Sequence, residues 1–545
     1  MRYLDPDEVF LDARNLPSFD QTRLEGKIER FLSLRAVYFL ALMFALTGAT
    51  LLSRVAYLEI KEGDKYRSRS IENSLRAVFV PNERGVIYDR NGRLLAWNEP
   101  GKGRRYLSEE GLGHVLGYVG YREKGEDFGT SDPNIRIGKM GAEKYFDSDL
   151  RGIQGLRLEE VDVTGRIISE NMERVPVDGT PITLTIDSRL QSKLYEYIKE
   201  LALERGFNGG AGVIMDIQNG DIIAMPSYPE FPPSLLSGTS TRLSIDSLIN
   251  DNRTPFLNRA ISGLYAPGSI IKPIIAVAAL SKRVIDSGAK IISTGSIEVP
   301  NPYSPGNVSV FKDWKAHGPV DMREALAVSS NVYFYVVGGG YRNQKGLGIK
   351  AINEYANLFG LGSNTGIDLP GEEEGLVPSP GWKEATFEGD AWRLGDTYHT
   401  AIGQYGFLVT PIQMTRVIAS IAGGGTLVQP HLLLETKAKI SPLGLDDRDL
   451  KVVREGMRLG VTAGTAKALD VSYVKFGAKT GTAELGTTKR RVNSWIEGFF
   501  PYDNPRYAFA IVMERGVAGN TIGAASVANK FFEWMSIYSS DYFND

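Results

Sequence analysis

Not one of the 545 residues is a cysteine. That excludes disulfides, thiolate nucleophiles and cysteine-ligated metals, although it does not fix a redox compartment. Histidine is nearly as scarce: His114, His317, His399 and His431 are scattered, with no His-Glu-x-x-His pair. No metal centre or other cofactor is therefore expected. The P-loop glycine pattern and the Gly-x-Ser-x-Gly turn are both missing, so nucleotide and α/β-hydrolase chemistry lack their signatures. Net charge is only -3 and there is no long basic run, which leaves no electrostatic footprint for nucleic acid.

Long apolar runs are also rare. A single one, Ala36 to Leu52, carries no charge and lies between Arg35 and Arg54. Its length predicts a membrane helix over residues 36–57. Residues 1–35 are largely polar, and no small-residue cleavage site follows the run cleanly, which favours a span over a signal peptide. Arg23, Lys27, Arg30 and Arg35 precede it while Arg54, Lys61, Lys65, Arg67 and Arg69 follow, so charge bias does not set its orientation.

Beyond the span, Asn82 to Ala96 reads as strand, turn, strand, with Asn91-Gly92 predicting a type I′ hairpin. Nothing between residues 58 and 180 pairs a nucleophile with a base, and this segment reads as a pedestal. Near Asp187 or Ser188, either a candidate helix cap, a second domain begins. Ala211 to Met225 predicts two strands buried on both faces around an Asn219-Gly220 turn. The Pro-, Ser- and Thr-rich loop from Pro226 to Asn258 then leads into Pro267-Gly268-Ser269-Ile270-Ile271-Lys272-Pro273.

Ser269 and Lys272 are three residues apart, so on a helix both project from one face, and the amine can reach the hydroxyl. Pro273 has no N–H and belongs in a first turn, which starts the helix near Ser269. A lysine works as a base only when burial, the helix dipole or a second cation lowers its pKa. A lone Ser-x-x-Lys is common on exposed helices, so companions are needed. Ser329-Ser330-Asn331 offers a hydroxyl and a carboxamide two residues apart, a spacing that suits a loop or a helix junction rather than one helix face. Lys479-Thr480-Gly481-Thr482 lies in a strand-like stretch, where Lys479 and Gly481 share one face and both threonines the other. Gly481 permits close approach to the Ser269 helix, and Lys479 supplies the second cation.

Ser-x-x-Lys, Ser-x-Asn and Lys-Thr-Gly, in this order, form the motif set of penicillin-binding proteins and β-lactamases. The chain resembles the class B penicillin-binding proteins from about residue 80 onward. The resemblance extends through Arg84-Gly85-x-Ile87-x-Asp89-Arg90-x-Gly92, Tyr265-Ala266-Pro267-Gly268, Gly366-Ile367-Asp368-Leu369-Pro370 and Thr410-Pro411-x-Gln413-Met414. Phe311-Lys312-Asp313-Trp314, His114 to Val119, and Gly152-x-x-Gly155 to Val161-Asp162 are most similar to the penicillin-binding protein 2 group of the elongation machinery. In that group a sizeable head segment separates the Asp-Arg-Asn-Gly hairpin from the His-Val-Leu-Gly-Tyr stretch. Here only Arg93 to Gly113 does.

The resemblance implies an α+β fold: a cytoplasmic tail (1–35), one transmembrane helix (36–57), a β-rich pedestal for dimerisation or partner docking (58–180), and a transpeptidase domain (181–540). That last domain is expected to be β-lactamase-like, an antiparallel sheet flanked by helices. The implied activity is peptidoglycan D,D-transpeptidation through an acyl-enzyme on Ser269, with β-lactams as inhibitors. Lys272 is implied as base, Ser329 as proton relay and Asn331 as holder of the substrate amide. Lys479 is the second cation, Thr480, Gly481 and Thr482 bind the terminal carboxylate, and the backbone N–H groups of Ser269 and Thr482 form the oxyanion hole. Implied partners are D-Ala-D-Ala stem peptides, the membrane, a RodA-like glycan polymerase and elongation-complex proteins. The catalytic domain is then on the outer side of a bacterial inner membrane. A division-type enzyme is the alternative. A β-lactamase needs a deacylating base, and no Glu-x-x-Leu-Asn segment supplies one. A β-lactam sensor needs a lost catalytic residue or a cytoplasmic signalling domain, and neither is visible.

Overall fold

A computed structural model describes residues 33–122, 132, 135–162, 164–238, 242–301, 306–486 and 488–543. Most of the expected tail, including Arg23, Lys27 and Arg30, lies outside the described residues. The chain divides into two compact units: residues up to Val78 with Arg157–Glu173, and Phe79–Leu156 with Arg174–Asp545. Residues 79–156 of the expected pedestal thus pack with the catalytic portion.

The first unit holds helix α1, Leu34–Ile60, whose 27 residues are rich in Leu, Ala and Phe, with none of them buried. The Ser33 hydroxyl accepts the Ala36 N–H at 3.3 Å and caps it. With a mean hydropathy of 1.9, α1 alone among the described helices is long and apolar enough to cross a bilayer.

In the second unit, Ile87–Tyr88, Leu94–Glu99 and Gly103–Tyr106 form an antiparallel meander, and Ile182–Thr183 joins it in parallel. Residues 93–113 are thus occupied largely by two short strands. The turn at Asn91-Gly92 is not type I′: Gly92 has φ +78° but Asn91 is not in the left-handed region. The Asp89 carboxylate accepts the N–H groups of Asn91 (2.9 Å) and Arg93 (2.8 Å), and Asp89 O accepts Gly92 N–H. These bonds impose a three-residue loop ending in a left-handed glycine, and the adjacent strand register shifts accordingly.

The remaining elements needed here are α2 (Ser188–Arg205), β1 (Gly209–Asp216), β2 (Ile222–Ala224), α3 (Lys272–Ser281), α4 (Asn331–Gly339), α5 (Pro411–Ala422), α6 (Asp447–Thr462), β3 (Gly477–Leu485), β4 (Arg491–Phe500), β5 (Tyr507–Val517) and α7 (Ala524–Tyr538). Asp187, not Ser188, caps α2. The strands form an antiparallel sheet in the order β2-β1-β5-β4-β3, leaving β3 at the edge.

Alternate residues of each strand enter opposite cores. Val213, Met215, Trp495, Ala508, Ala510 and Val512 join the cluster containing α3 and α5. Ile214, Ile496, Phe509, Ile511 and Met513 join the cluster containing α2 and α7. Both faces of β1 are buried, as its unbroken apolar run predicts. Each large side chain so buried contributes on the order of 2 kcal/mol, which makes the sheet a rigid wall with one open edge.

Candidate active site

The serine stretch is a 3₁₀ turn, Gly268–Ile271, running directly into α3 with Pro273 in the first turn. Ile270, Ile271, Ile274 and Ile275 are buried, so the apolar side chains fix the helix while Ser269 stays half-buried at its open end. Lys272 faces inward and is wholly buried. Its Nζ donates to Ser329 O at 2.8 Å and to Asn331 Oδ1 at 2.8 Å, and lies 3.3 Å from Ser329 Oγ. No hydrogen bond joins it to Ser269 Oγ among the described residues. In an unliganded cleft such contacts are often long, and a neutral amine that donates its two N–H groups to those carbonyls keeps its lone pair free for the serine proton.

Ser329 and Asn331 occupy a helix junction, as their spacing allows. The helix Met322–Ala327 stops, Ser329 adopts φ +58°, and α4 begins at Asn331. A non-glycine residue in that region is uncommon and marks a turn held by its surroundings. Ser330 caps α4 by accepting the Tyr333 N–H at 3.3 Å, which leaves Ser329 and Asn331 on the cleft side.

Asp313 holds this turn in place, a role that its place in a family motif did not reveal. Its Oδ2 accepts from Ser330 Oγ (2.8 Å), Val332 N–H (3.0 Å) and Ser293 Oγ (3.2 Å). Burial pushes its carboxyl up, but the N–H groups of Val332 and Asn331 and the Ser330 hydroxyl outweigh that and hold it below the usual carboxylate range. The sequence marked only the motif that contains Asp313, and its partners are 17 or more residues away.

Lys479 lies on β3 with its side chain buried and Nζ 2.8 Å from Ser329 Oγ, so that one hydroxyl bridges two lysine amines. Gly481 shares the inward face. A Cβ there would stand 2.9 Å from Ile270 Cγ2 and 3.1 Å from Pro267 O, so only glycine lets the strand lie against the Ser269 turn. Thr480 and the exposed Thr482 line the cleft. Thr480 Oγ1 also donates to Thr465 Oγ1 at 2.6 Å, a partner that sequence reasoning missed. Trp495, on β4, donates its indole N–H to Ala266 O at 3.1 Å and ties the sheet to the loop before Ser269.

Together these groups line a cleft of about 1000 Å³, which Ser269, Ser329, Asn331, Thr480, Gly481 and Thr482 share with Trp314, Tyr335 and His399. Burial, reinforced by Lys479, drives the Lys272 amine well below the usual lysine value, and Asp313 opposes this only partly. Burial also lowers Lys479, to about 7. A lysine base lowered well below its usual value, beside a serine at a helix start and an open strand edge, can form and resolve an ester with an extended peptide.

The penicillin binding protein transpeptidase domain matches residues 210–533, and the penicillin-binding protein dimerisation domain matches residues 99–184. The peptidoglycan D,D-transpeptidase MrdA of Acinetobacter baumannii is 29% identical over 592 residues, covering 89% of this chain and 85% of that protein. Penicillin-binding protein 2 of Helicobacter pylori, solved with MreC, superposes with a TM-score of 0.73 at 27% identity, covering 84% of this chain and 99% of that one. A chain of a peptidoglycan synthase complex, solved for its coordination of polymerisation and crosslinking, matches with a TM-score of 0.72 at 27% identity, covering 92% and 98%. The transpeptidase match spans more than half of the chain and contains every motif of the cleft. The chain belongs to the penicillin-binding protein transpeptidase family, as a class B member most similar to penicillin-binding protein 2, and is a peptidoglycan D,D-transpeptidase.

Proposed function

We propose that cross-linking proceeds by two acyl transfers through Ser269, with each polar group of the cleft in a defined role. The neutral Lys272 amine accepts the Ser269 hydroxyl proton as Oγ bonds to the penultimate D-Ala carbonyl carbon of a stem peptide. The developing oxyanion is taken by the backbone N–H groups of Ser269 and Thr482, each such donor being worth about 3 to 4 kcal/mol. The C–N bond then breaks, and the proton passes from Lys272 through Ser329 Oγ to the departing D-Ala nitrogen. An amine of a neighbouring strand attacks the acyl carbon and loses its proton along the reverse route, and the ester breaks to restore Ser269. Asn331 holds the substrate amide, Thr480 and Thr482 hold the terminal carboxylate alongside Gly481, and Lys479 disfavours a second positive charge on Lys272. β-Lactams acylate Ser269 in the same way.

A single observation carries this reading: both lysine amines lie within 3.3 Å of Ser329 Oγ in the cleft that Ser269 lines. In the full chain, Ser269→Ala is expected to abolish covalent labelling by a fluorescent penicillin without lowering the melting temperature. Continued labelling overturns the assignment. Rapid release of the penicilloyl group by the unaltered protein would instead indicate a β-lactamase.

We further propose that residues 1–35 are cytoplasmic, that residues 36–57 cross the inner membrane, and that residues 181–540 act on its outer side. Residues 58–180 then dock a RodA-like polymerase and elongation proteins. The reading draws on α1 and on relatives solved with MreC or within a synthase complex. Protease added to spheroplasts should remove the catalytic domain. Pull-down of the membrane-embedded chain should recover a polymerase.

A further inference from the structure

Among the described residues, Glu497 is a wholly buried acidic residue that meets the site and takes no part in the mechanism above. It lies on β4 directly opposite Lys479 of β3, so the two side chains leave the sheet on the same face. Its other strand neighbour is Ala510, and Trp495 and Phe499, which flank it on that face, belong to the apolar cluster formed with α3 and α5. Glu497 is 0% exposed, and neither carboxyl oxygen has a hydrogen-bond partner among the described residues. A β-branched or aromatic residue suits a central strand far better, and a carboxyl left unbonded in such a core is costly to bury.

The other charged groups around the pair are engaged elsewhere. On α3, Lys272 interacts with Lys479 and with Asp313, which lies before the Ser329 junction. Arg416 of α5 turns to Thr365 O and Gly360 O. On α6, Arg458 donates to Phe476 O, while Asp449 and Glu455 pair with Arg283 and Arg323. On β5, Glu514 pairs with Arg259. Lys479 itself has no ion pair among the described residues. Glu497 is thus the negative charge available to it in a medium that screens poorly.

We propose that Glu497 is a positioning residue for the acyl-transfer reaction, its buried carboxylate holding Lys479 in the ammonium form from the neighbouring strand. This rests on the role assigned to Lys479 above. Burial pushes the Glu497 carboxyl well up and the Lys479 ammonium down to about 7, and the charge of the other group opposes each shift only in part. The two therefore titrate as a couple, one proton deciding whether both are charged or both neutral. An ionised Glu497 extends the pH range over which an arriving substrate carboxylate at Thr480 and Thr482 meets an ammonium.

The test is the pH profile of penicillin acylation by the detergent-solubilised full chain, comparing Glu497→Gln and the apolar, volume-matched Glu497→Met with the unaltered protein. Without the carboxylate, Lys479 loses its proton at lower pH, so the alkaline limb should move acidward by at least about half a pH unit, roughly a threefold loss of rate on that limb. The acid limb, where the base becomes protonated, should stay. An alkaline limb that stays fixed, or moves to higher pH, overturns the proposal. Lys479→Met separates the two readings: if it acylates at the normal rate, the role of Lys479 itself is wrong. If it loses acylation while the Glu497 limb is unmoved, only Glu497 has been misassigned.

Discussion

Two regions of this protein bury charge, and they do so in opposite ways. Near the meander, Glu143 is 0% exposed, and its two oxygens are held by Arg84 Nε at 2.6 Å and Arg104 Nε at 2.7 Å, while Arg84 also reaches Asp147 at 2.7 Å. Every charge there faces its opposite, and the Arg84 guanidinium is held above its usual pKa despite the opposing pull of burial. In the cleft, Lys272 and Lys479 are as deeply buried but have no ion pair among the described residues, and both are lowered. Paired charge fixes the architecture. Unpaired charge yields an amine that is neutral enough to act as a base.

The largest expected effect comes from removing the base. Lys272→Met should lower the acylation rate constant by about 10⁴-fold, the upper range for general base catalysis, with no loss of thermal stability. Fast acylation by that variant moves the base role elsewhere. Breaking the paired region should do the reverse. Glu143→Ala leaves two guanidiniums uncompensated and should cost about 3 to 5 kcal/mol of stability, read from denaturant or thermal melting, while folded molecules still acylate. A variant that melts normally but fails to acylate would erase the contrast.

Lys479→Met should fall between these two, slowing acylation by about 10²-fold through loss of the bound carboxylate's counter-charge. Its stability effect has a definite sign. The folded pKa of Lys479, about 7, is below the unfolded lysine value, so the unfolded chain binds more protons between the two. The penalty for burying this ammonium is therefore fully expressed below about pH 7 and relieved as pH rises toward the unfolded value. Lys479→Met should gain melting temperature at pH 6 and lose that advantage by pH 10, and a pH-independent difference would contradict the lowered pKa. The smallest effect is Thr465→Val, which removes the hydroxyl partner of Thr480 and should cost only about 1 kcal/mol of substrate binding, read as a higher KM at unchanged kcat.

Much of the fold was legible because its periodicities are strong. The α1 segment is uniformly apolar, β1 is apolar along its whole length because both its faces are covered, and Pro273 marks where α3 starts. The turn at Gly92 was misread because Asp89, a side chain two and four residues back, satisfies the loop N–H groups that a type I′ turn would have arranged differently. The roles of Asp313, Thr465 and Glu497 escaped notice because nothing local points to them. Each acquires meaning only from a partner distant in sequence or across a strand pair.

The sequence by itself determined the inventory: a serine and lysine one helical turn apart, a Ser-x-Asn off any single helix face, a Lys-Thr-Gly strand, and no cysteine to supply a competing thiol. These follow from short-range geometry, in which spacing alone decides which side chains share a face. Tertiary structure alone decided that Ser329 Oγ lies between two lysine amines, that Gly481 admits the Ser269 turn, and that buried Glu497 stands opposite Lys479 on the next strand. The physical reason is burial. A lysine's pKa depends on the water and charge excluded around it, and that environment is assembled from α3, the Ser329 junction and the sheet edge, segments up to about 200 residues apart in the sequence.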